Sequence, residues 1–546
     1  MLQKLTLKTL IAFFCHLPGS LLFSQQPPKL VIGITIDQMR WDYLYRFQHR
    51  WHEKGGFKRL MDKGFVCNNL QINYLPSYTA CGHATIYTGT VPAIHGITGN
   101  SWWDASKDKY VYCTNDDNVK TVGGTDDAGH MSPVHLLTTT LADELRIATN
   151  FRGKTLGISL KDRGGILSAG HAANAAYWYD GEAGEWISST WYMDALPQWV
   201  KGFNAKEKID SFYRKGWDLL YPKETYVQSN PERKPYELRT FGTSQRQMPY
   251  YLERFENVSY DIITTTPFGN TLTTEFAKTA ILEESLGKDS IPDMLAISFS
   301  STDYIGHAYG PNSMEIEDVY LRLDLELGEF LNFLDKHIGE DQFLIFLTSD
   351  HGTSHVPGFL KENKLPGGHV SYRMLQDDMN NLLMEKFGVQ GLVKTLMNDQ
   401  VLLDMPTIEK NKKLDIEKIY DIIVPYLEKQ EGIARAVIVE RVSSSKLPNE
   451  MKRLISNAYY PGRSGQLQLI FKPGFIEGFP RGGTTHSTGY AYDTHVPLIF
   501  YGTHIPAGKT EKKYYMTDIA PSISAKLNIQ VPSGCIGTVI TELFEQ

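Results

Sequence analysis

No block of basic residues occurs anywhere in this 546-residue chain. Its 55 lysines and arginines are scattered and are outnumbered by 62 aspartates and glutamates, for a net charge of −7. That excludes the electrostatic footprint of a nucleic-acid-binding protein. Past the N-terminus no stretch approaches the roughly 18 uninterrupted apolar residues of a membrane helix, so no membrane span is expected. There is no internal repeat and no low-complexity tract, which argues against a repeat array or a disordered chain. Cysteine is scarce as well: five residues, none in a CxxC pair or a zinc-knuckle spacing, so neither a dithiol redox site nor a cysteine-bound structural zinc is expected. Cys67, Cys81, Cys113 and Cys535 can pair in three ways, and the sequence does not choose among them.

The one long apolar run lies at the start. Lys4 and Lys8 precede a mostly apolar segment from Leu10 to Phe23, broken by His16 and Pro18 and ended by Ser24-Gln25-Gln26-Pro27. Positive residues followed by a short apolar stretch read as a cleaved signal peptide over residues 1–24, and hence as an exported, periplasmic or secreted protein. The whole chain is 42% apolar and 21% charged, the balance of a folded globular protein, and the part that would remain is residues 25–546. They read as one catalytic domain. Oligomeric state stays open; nothing requires more than a monomer.

What the chain has in abundance is one rhythm: apolar run, polar turn, helical pattern. "KLVIGITIDQMR" ends at Asp37, "TLGISLKDRGG" at Lys161 and Arg163, "DMLAISFSSTDYIGH" near Asp303 and His307, and "FLIFLTSDHGTS" at Asp350 and His351. Short continuous apolar runs suit strands buried on both faces. Between them lie helical patterns such as Met314 to His337, with Val319, Leu323, Leu327, Phe330 and Leu331 on one side. The alternation predicts an α/β fold with a doubly wound, mostly parallel central sheet flanked by helices. In such sheets ligands gather at the carboxyl ends of the strands, where all four runs carry their polar residues. Two stretches break the rhythm, about 165–290 and about 370–480, and are read as insertions that cap the sheet edge.

Asp303 and His307 are spaced i, i+4, which on a helix puts both on one face, able to grip one cation. Asp350 and His351 sit together at a strand end, and Asp37 ends another strand. His486 lies in "GGTTHSTGYAYDTHVPLIF", just before a further strand-like run. Three Asp and three His suit two ions of borderline softness, such as zinc. Thr79, in "LPSYTACGHATIYTG", is followed by the small residues Ala80 and Gly82 and can open a helix whose N-terminal N–H groups face an anion; Asn100 could donate to the same oxygens. Such ions can lower the pKa of a hydroxyl. His83, His95, His355 and His495 are taken as structural.

With these residues in view, the chain resembles the alkaline phosphatase superfamily, and within it the Thr-nucleophile PafA-type phosphatases, which are similar to the nucleotide pyrophosphatase/phosphodiesterases. "ITIDQMR", "PSYTACGHATIYTG", "HGITGNSWW", "SLKDRGG", "STDYIGHAYG", "TSDHG" and "THSTGYAYDTHVP" carry the likeness from about Leu30 to "TDIAPSISAKLNI". The resemblance implies an alkaline-phosphatase-like fold and two Zn2+ per chain. One ion would be held by Asp303, His307 and His486, the other by Asp37, Asp350 and His351 with the Thr79 oxygen. It also implies a covalent phosphothreonine at Thr79, later hydrolysed.

Lys161 and Arg163 bear on the substrate. A phosphate monoester carries nearly two negative charges and a diester one, so extra cations favour the monoester. Spaced i, i+2 at a strand end, the two point the same way if the strand stays regular. The pair resembles the monoesterase pattern, and the typical diesterase members lack it. The expected activity is hydrolysis of small phosphate monoesters with broad specificity. The alternatives are a nucleotide pyrophosphatase/phosphodiesterase and a metal- or phosphate-binding protein without turnover. A sulfatase is disfavoured because Cys81 lacks the Pro and Arg of a C-x-P-x-R segment, and a phosphoglycerate-mutase-like enzyme because it would offer serine.

Overall fold

Every side chain of LVIGITI is buried in β1 (Leu30–Ile36). A segment apolar on both faces needs strands beside it and helices above and below, and β1 lies at the middle of the main sheet. The computed structural model describes residues 26–545 apart from 205–206, 243, 256–258 and 479–481; the expected signal peptide lies outside the described residues.

The sheet is built from β2 (Phe65–Gln71), β3 (Thr155–Ser159), β4 (Ala175–Asp180), β5 (Glu185–Ser189), β6 (Asp293–Phe299), β7 (Phe343–Thr348) and β8 (Leu498–Gly502), with shorter edge segments. Its centre runs β7-β1-β6-β3-β4, all parallel. Antiparallel strands finish both sides, β5 on β4 and β8 on β7, with β2 beyond β8. In register, Gly33 of β1 faces Phe346 of β7 and Ala296 of β6. A Cβ on Gly33 would lie 2.4 Å from the Tyr87 hydroxyl and 2.5 Å from Phe346 Cζ, so only glycine lets the layer above approach.

Helices α1 (Thr79–Thr88), α2 (Asp162–Ala169), α3 (Pro267–Glu283), α4 (Ser301–Tyr309) and α5 (Met314–His337) cover the sheet. The expected helix over Met314–His337 is present, started by Ser313, whose hydroxyl accepts from the Ile316 N–H at 3.2 Å, and its five apolar markers are all buried. Alternation along β1 sorts its side chains: Ile32, Ile34 and Ile36 join Leu323, Leu327 and Phe276 in one core, while Val31 joins Tyr87, Met294 and Phe346 in the other. Each such side chain contributes about 1.5–3 kcal/mol by leaving water.

The stretch 165–290 does more than cap. Its β4 and β5 extend the central sheet, and Trp186 stacks on Phe276 of α3 at 4.3 Å inside the main core. The stretch 370–480 is a separate unit: a four-stranded antiparallel sheet in the order Val393–Met397, Gln400–Leu403, Leu467–Phe471, Ile433–Ile438. Helices Tyr372–Phe387 and Ile416–Glu428 pack on it around their own core of Met379, Leu383, Ile419, Ile423 and Leu469. Cys67, Cys81, Cys113 and Cys535 are all unpaired. No described helix is long and apolar enough to cross a membrane.

Candidate active site

Because β7, β1, β6 and β3 are parallel neighbours, the turns that follow them meet at one end of the sheet. They deliver Asp350 and His351, then Asp37, then Asp303, then Lys161, in spatial order. All five are buried, with at most 3% of each exposed. Asp303 and His307 do share one face of α4, with His307 Nε2 3.2 Å from Asp303 Oδ1. His486 comes from a loop that is stitched to the segment before Thr79: its Nδ1 donates to Ser77 O at 2.6 Å, and Ser77 N donates to Ser487 O at 3.3 Å.

The three expected imidazole ligands are oriented alike. His307 Nδ1 donates to Thr484 O at 2.7 Å, His351 Nδ1 to Gly352 O at 2.9 Å and His486 Nδ1 to Ser77 O. A carbonyl can only accept, so each ring carries a proton on Nδ1 and turns its Nε2 inward, the orientation of metal-ligating histidines. His95, by contrast, has both ring nitrogens in hydrogen bonds. His83 donates from one ring nitrogen to Thr79 O and bonds Ser298 Oγ with the other, and its Nδ1 also lies 3.3 Å from Asp350 Oδ2. It braces α1 against the Asp350 turn.

Among the described residues, two groups have ligand atoms all within 4.8 Å of one another: Asp303, His307 and His486, and Asp37, Asp303 and His351. Asp303 is common to both. Asp350, assigned to the second ion by resemblance, sits at that group's edge, with Oδ2 3.5 Å from His351 Nε2. Thr79 Oγ1 is 3.3 Å from the same Nε2. The chemistry of the set fits divalent cations. Asp37 Oδ1 and Asp350 Oδ2 are fully buried and accept no hydrogen bond among the described residues, a cost that a cation would remove.

The charges agree. Burial, together with the Asp303 and Asp350 carboxylates, pushes Asp37 up to about 8. Burial also works against the charged form of Asp303, but His307 and Lys161 outweigh it and hold Asp303 well below the usual carboxylate range. Lys161 Nζ donates to Asp37 Oδ2 at 2.7 Å and to Asp303 Oδ2; burial disfavours its charge, yet Asp303 and Asp37 raise it above the ordinary lysine value. One lysine among three carboxylates leaves the centre electron-rich, which is what two dications would balance.

Thr79 is the first residue of α1, after an extended Tyr78. Asn100 Oδ1 accepts from the Ala80 N–H at 3.0 Å; fixing the amide oxygen there leaves Nδ2 as the free donor. Lys161 and Arg163 reach the site by a route other than a regular strand: β3 stops at Ser159, Lys161 is the extended residue before α2, and Arg163 lies in that helix's first turn. Arg163 makes one side-chain hydrogen bond among the described residues, NH1 to the Tyr112 hydroxyl at 3.1 Å, and its buried Nε has no partner.

Sequence reasoning passed over Gln38, Tyr112, Asp162 and Tyr304. Gln38 holds a left-handed backbone, φ 66°, directly after Asp37, and its Nε2 donates to Asp303 Oδ1 at 2.6 Å. A non-glycine residue in that conformation is uncommon and has to be held by its surroundings. Tyr304 is one residue beyond Asp303, with Lys161 Nζ 4.9 Å from its ring centre. The "IDQMR" and "STDYIGH" spacings contained both residues but gave no separate sign of them.

Comparison with known proteins bears on this geometry. The family model described as type I phosphodiesterase / nucleotide pyrophosphatase matches residues 31–490. A protein of Synechococcus elongatus named alkaline phosphatase PhoV is 49% identical over 519 residues, 95% of this chain and 93% of that one. A protein of Myroides odoratus named calcium-transporting ATPase is 46% identical over 541 residues, 98% of each. The crystal structure of wild-type alkaline phosphatase PafA is similar with a TM-score of 0.92 at 42% identity, covering 94% of this chain and 99% of that one.

Proposed function

The chain belongs to the type I phosphodiesterase / nucleotide pyrophosphatase family, among its PafA-type alkaline phosphatases, and from that premise we propose that it hydrolyses small phosphate monoesters through a phosphothreonine at Thr79. The observation that carries this reading is a pair of cations two residues apart: Lys161, ion-paired with Asp37, and, above all, Arg163, with its buried Nε unpartnered among the described residues. A guanidinium with open donors matches the extra non-bridging oxygen that separates a monoester from a diester.

Two divalent ions, zinc by ligand type, would be held by Asp303, His307 and His486 and by Asp37, Asp350 and His351. When bound they supply a lowered pKa for nearby hydroxyl groups and positive charge for the departing oxygen. The chain's own residues do the rest. Thr79 Oγ1, giving its proton to water, attacks phosphorus in line with the ester oxygen; the P–O bond to the alcohol breaks as the Thr79 ester forms, and the departing alkoxide takes a proton from water and leaves as the alcohol. Asn100 Nδ2 and the Arg163 fork bind non-bridging oxygens, so that they gain hydrogen bonds as charge builds there. Lys161 remains protonated and adds a point charge. Water then cleaves the phosphothreonine, restoring the Thr79 hydroxyl and releasing inorganic phosphate.

The second reading, a diesterase, rests on the matched family's name and has no use for the Arg163 donors. ATP hydrolysis, which the name of the Myroides relative carries, would use the same groups, since the terminal phosphoryl of ATP is also a doubly charged end group. The apolar leader supports export of the protein. The test is p-nitrophenyl phosphate against bis-p-nitrophenyl phosphate, each with and without chelator. Monoester turnover that dominates, disappears with chelator and returns with zinc supports the reading. Dominant diester turnover overturns the substrate class, and no turnover of either ester with zinc restored overturns the enzyme.

A further inference from the structure

Asn100 precedes and Tyr112 ends one two-stranded hairpin, Ser101–Asp104 paired with Lys109–Tyr112, closed by Cys113 N donating to Asn100 O at 3.0 Å. Both proposed phosphoryl-binding donors outside α1 therefore depend on this one ribbon. At its first end, Asn100 is locked to the start of α1 through Ala80 N. At its second end, the Tyr112 hydroxyl accepts from Arg163 NH1 at 3.1 Å and donates to Asp162 Oδ1 at 2.8 Å. A phenol has one proton; with the carboxylate taking it, only the oxygen lone pairs face the guanidinium. Thr114 Oγ1 donates to the other oxygen of Asp162, which fixes the carboxylate in turn. No carboxylate forms an ion pair with Arg163 among the described residues, so the neutral Tyr112 orients the fork without cancelling its charge.

The hairpin is tied to the separate four-stranded unit both at its open end and near its tip. Asn398 Nδ2 donates to Ser101 O at 2.8 Å, the Tyr110 hydroxyl and Thr395 Oγ1 are 2.9 Å apart, and Lys394 pairs with Asp108 at 2.8 Å while lying over the Trp103 ring at 4.8 Å. We propose that Tyr112, held by Asp162 and Thr114, is a positioning residue that sets the preference for monoesters by fixing the Arg163 fork, and that the four-stranded unit keeps the hairpin in place through Asn398. This inference rests on the proposed monoesterase reading.

The experiment compares wild type, Tyr112→Phe, Arg163→Ala and the double variant on p-nitrophenyl phosphate and on methyl p-nitrophenyl phosphate, with inhibition by inorganic phosphate as a third readout. Tyr112→Phe keeps the ring and removes only the hydroxyl. It should lower monoester kcat/KM about tenfold and weaken phosphate inhibition by a similar factor, while the diester loses no more than about twofold, the scale of one hydrogen bond to a charged donor. In the Arg163→Ala background the same change should do nothing further, because there is no fork left to orient. Asn398→Ala should move the same ratio in the same direction by about threefold, as a partial loosening of the same hydrogen-bonded chain. Equal losses on both esters for Tyr112→Phe, or losses that multiply with those of Arg163→Ala, overturn the positioning role. If Arg163→Ala itself fails to discriminate between the esters, the monoesterase reading falls and this inference with it; if Arg163→Ala discriminates and Tyr112→Phe does not, this inference alone falls.

Discussion

Asp37→Asn should stabilise the metal-free protein, even though Asp37 is fully buried and ion-paired. Burial and the neighbouring Asp303 and Asp350 carboxylates raise Asp37 from 3.8 to about 8. A carboxyl group that binds its proton more tightly folded than unfolded makes the fold lose stability as pH rises between those two values. About four units at ~1.4 kcal/mol each bound the cost at roughly 6 kcal/mol at pH 8. Relaxation of a buried charge and entry of water commonly take back a large part, leaving about 3 kcal/mol. Asparagine keeps an oxygen for Lys161 Nζ, which donates to Asp37 Oδ2 at 2.7 Å, and removes the charge. With roughly 2.1 cal/mol/K of unfolding entropy per residue, a chain of this length gains about 3 °C in Tm from 3 kcal/mol. At pH 5 the gain should shrink to about 1 °C and below about pH 4 it should vanish, since Asp37 is then protonated in both states. The assay is thermal unfolding followed by circular dichroism, with chelator, across that pH range. In zinc-loaded protein the sign should reverse, because a ligand is lost. A chelated Asp37→Asn variant that melts below wild type at pH 8, or a difference that does not change with pH, refutes the reasoning.

Thr79→Ala should remove at least 1,000-fold of the monoester rate, on the order of 4 kcal/mol of barrier, with metal content unchanged; Thr79→Ser should keep measurable turnover and give an acid-stable phosphoserine on quenching. Gly82→Ala places a Cβ 2.5 Å from Asp350 Cβ and the Asp350 carbonyl oxygen, so it should lower stability by about 1–3 kcal/mol and reduce metal occupancy, read by denaturant unfolding and elemental analysis. Asp318 accepts from Trp217 Nε1, Leu220 N, the Tyr226 hydroxyl and Arg322 Nε at 2.6–2.8 Å. Asp318→Ala should cost about 3–5 kcal/mol in urea unfolding while leaving the KM of folded enzyme within twofold.

Much of the site was legible because parallel strands convert sequence order into spatial order. An apolar run ending in Asp or His reports the carboxyl end of a buried strand, and neighbouring strand ends meet; Asp37, Asp303, Asp350, His351 and Lys161 are brought together in this way. The i, i+4 spacing of Asp303 and His307 carried over because α4 is regular there. The matching argument for Lys161 and Arg163 did not, since β3 ends at Ser159, before either residue. Tyr112 and Asp162 were invisible for a different reason: their hydrogen bond joins positions 50 residues apart, from the end of a hairpin to the start of α2, and neither has a spacing that marks it. Residues 175–189 were read as part of a cap because aromatic and polar residues mix in them, yet AAYWYD and EWISS are good strand formers that pair at the sheet edge. That pairing is a tertiary choice with no local signal.

Elemental analysis of the purified active protein tests the central claim most directly. Two transition-metal ions per chain in wild type, falling to about one in His307→Ala or His486→Ala with loss of turnover, is the result expected if six acids and imidazoles seat two ions beside Thr79. Full monoesterase activity with less than one such ion per chain contradicts it.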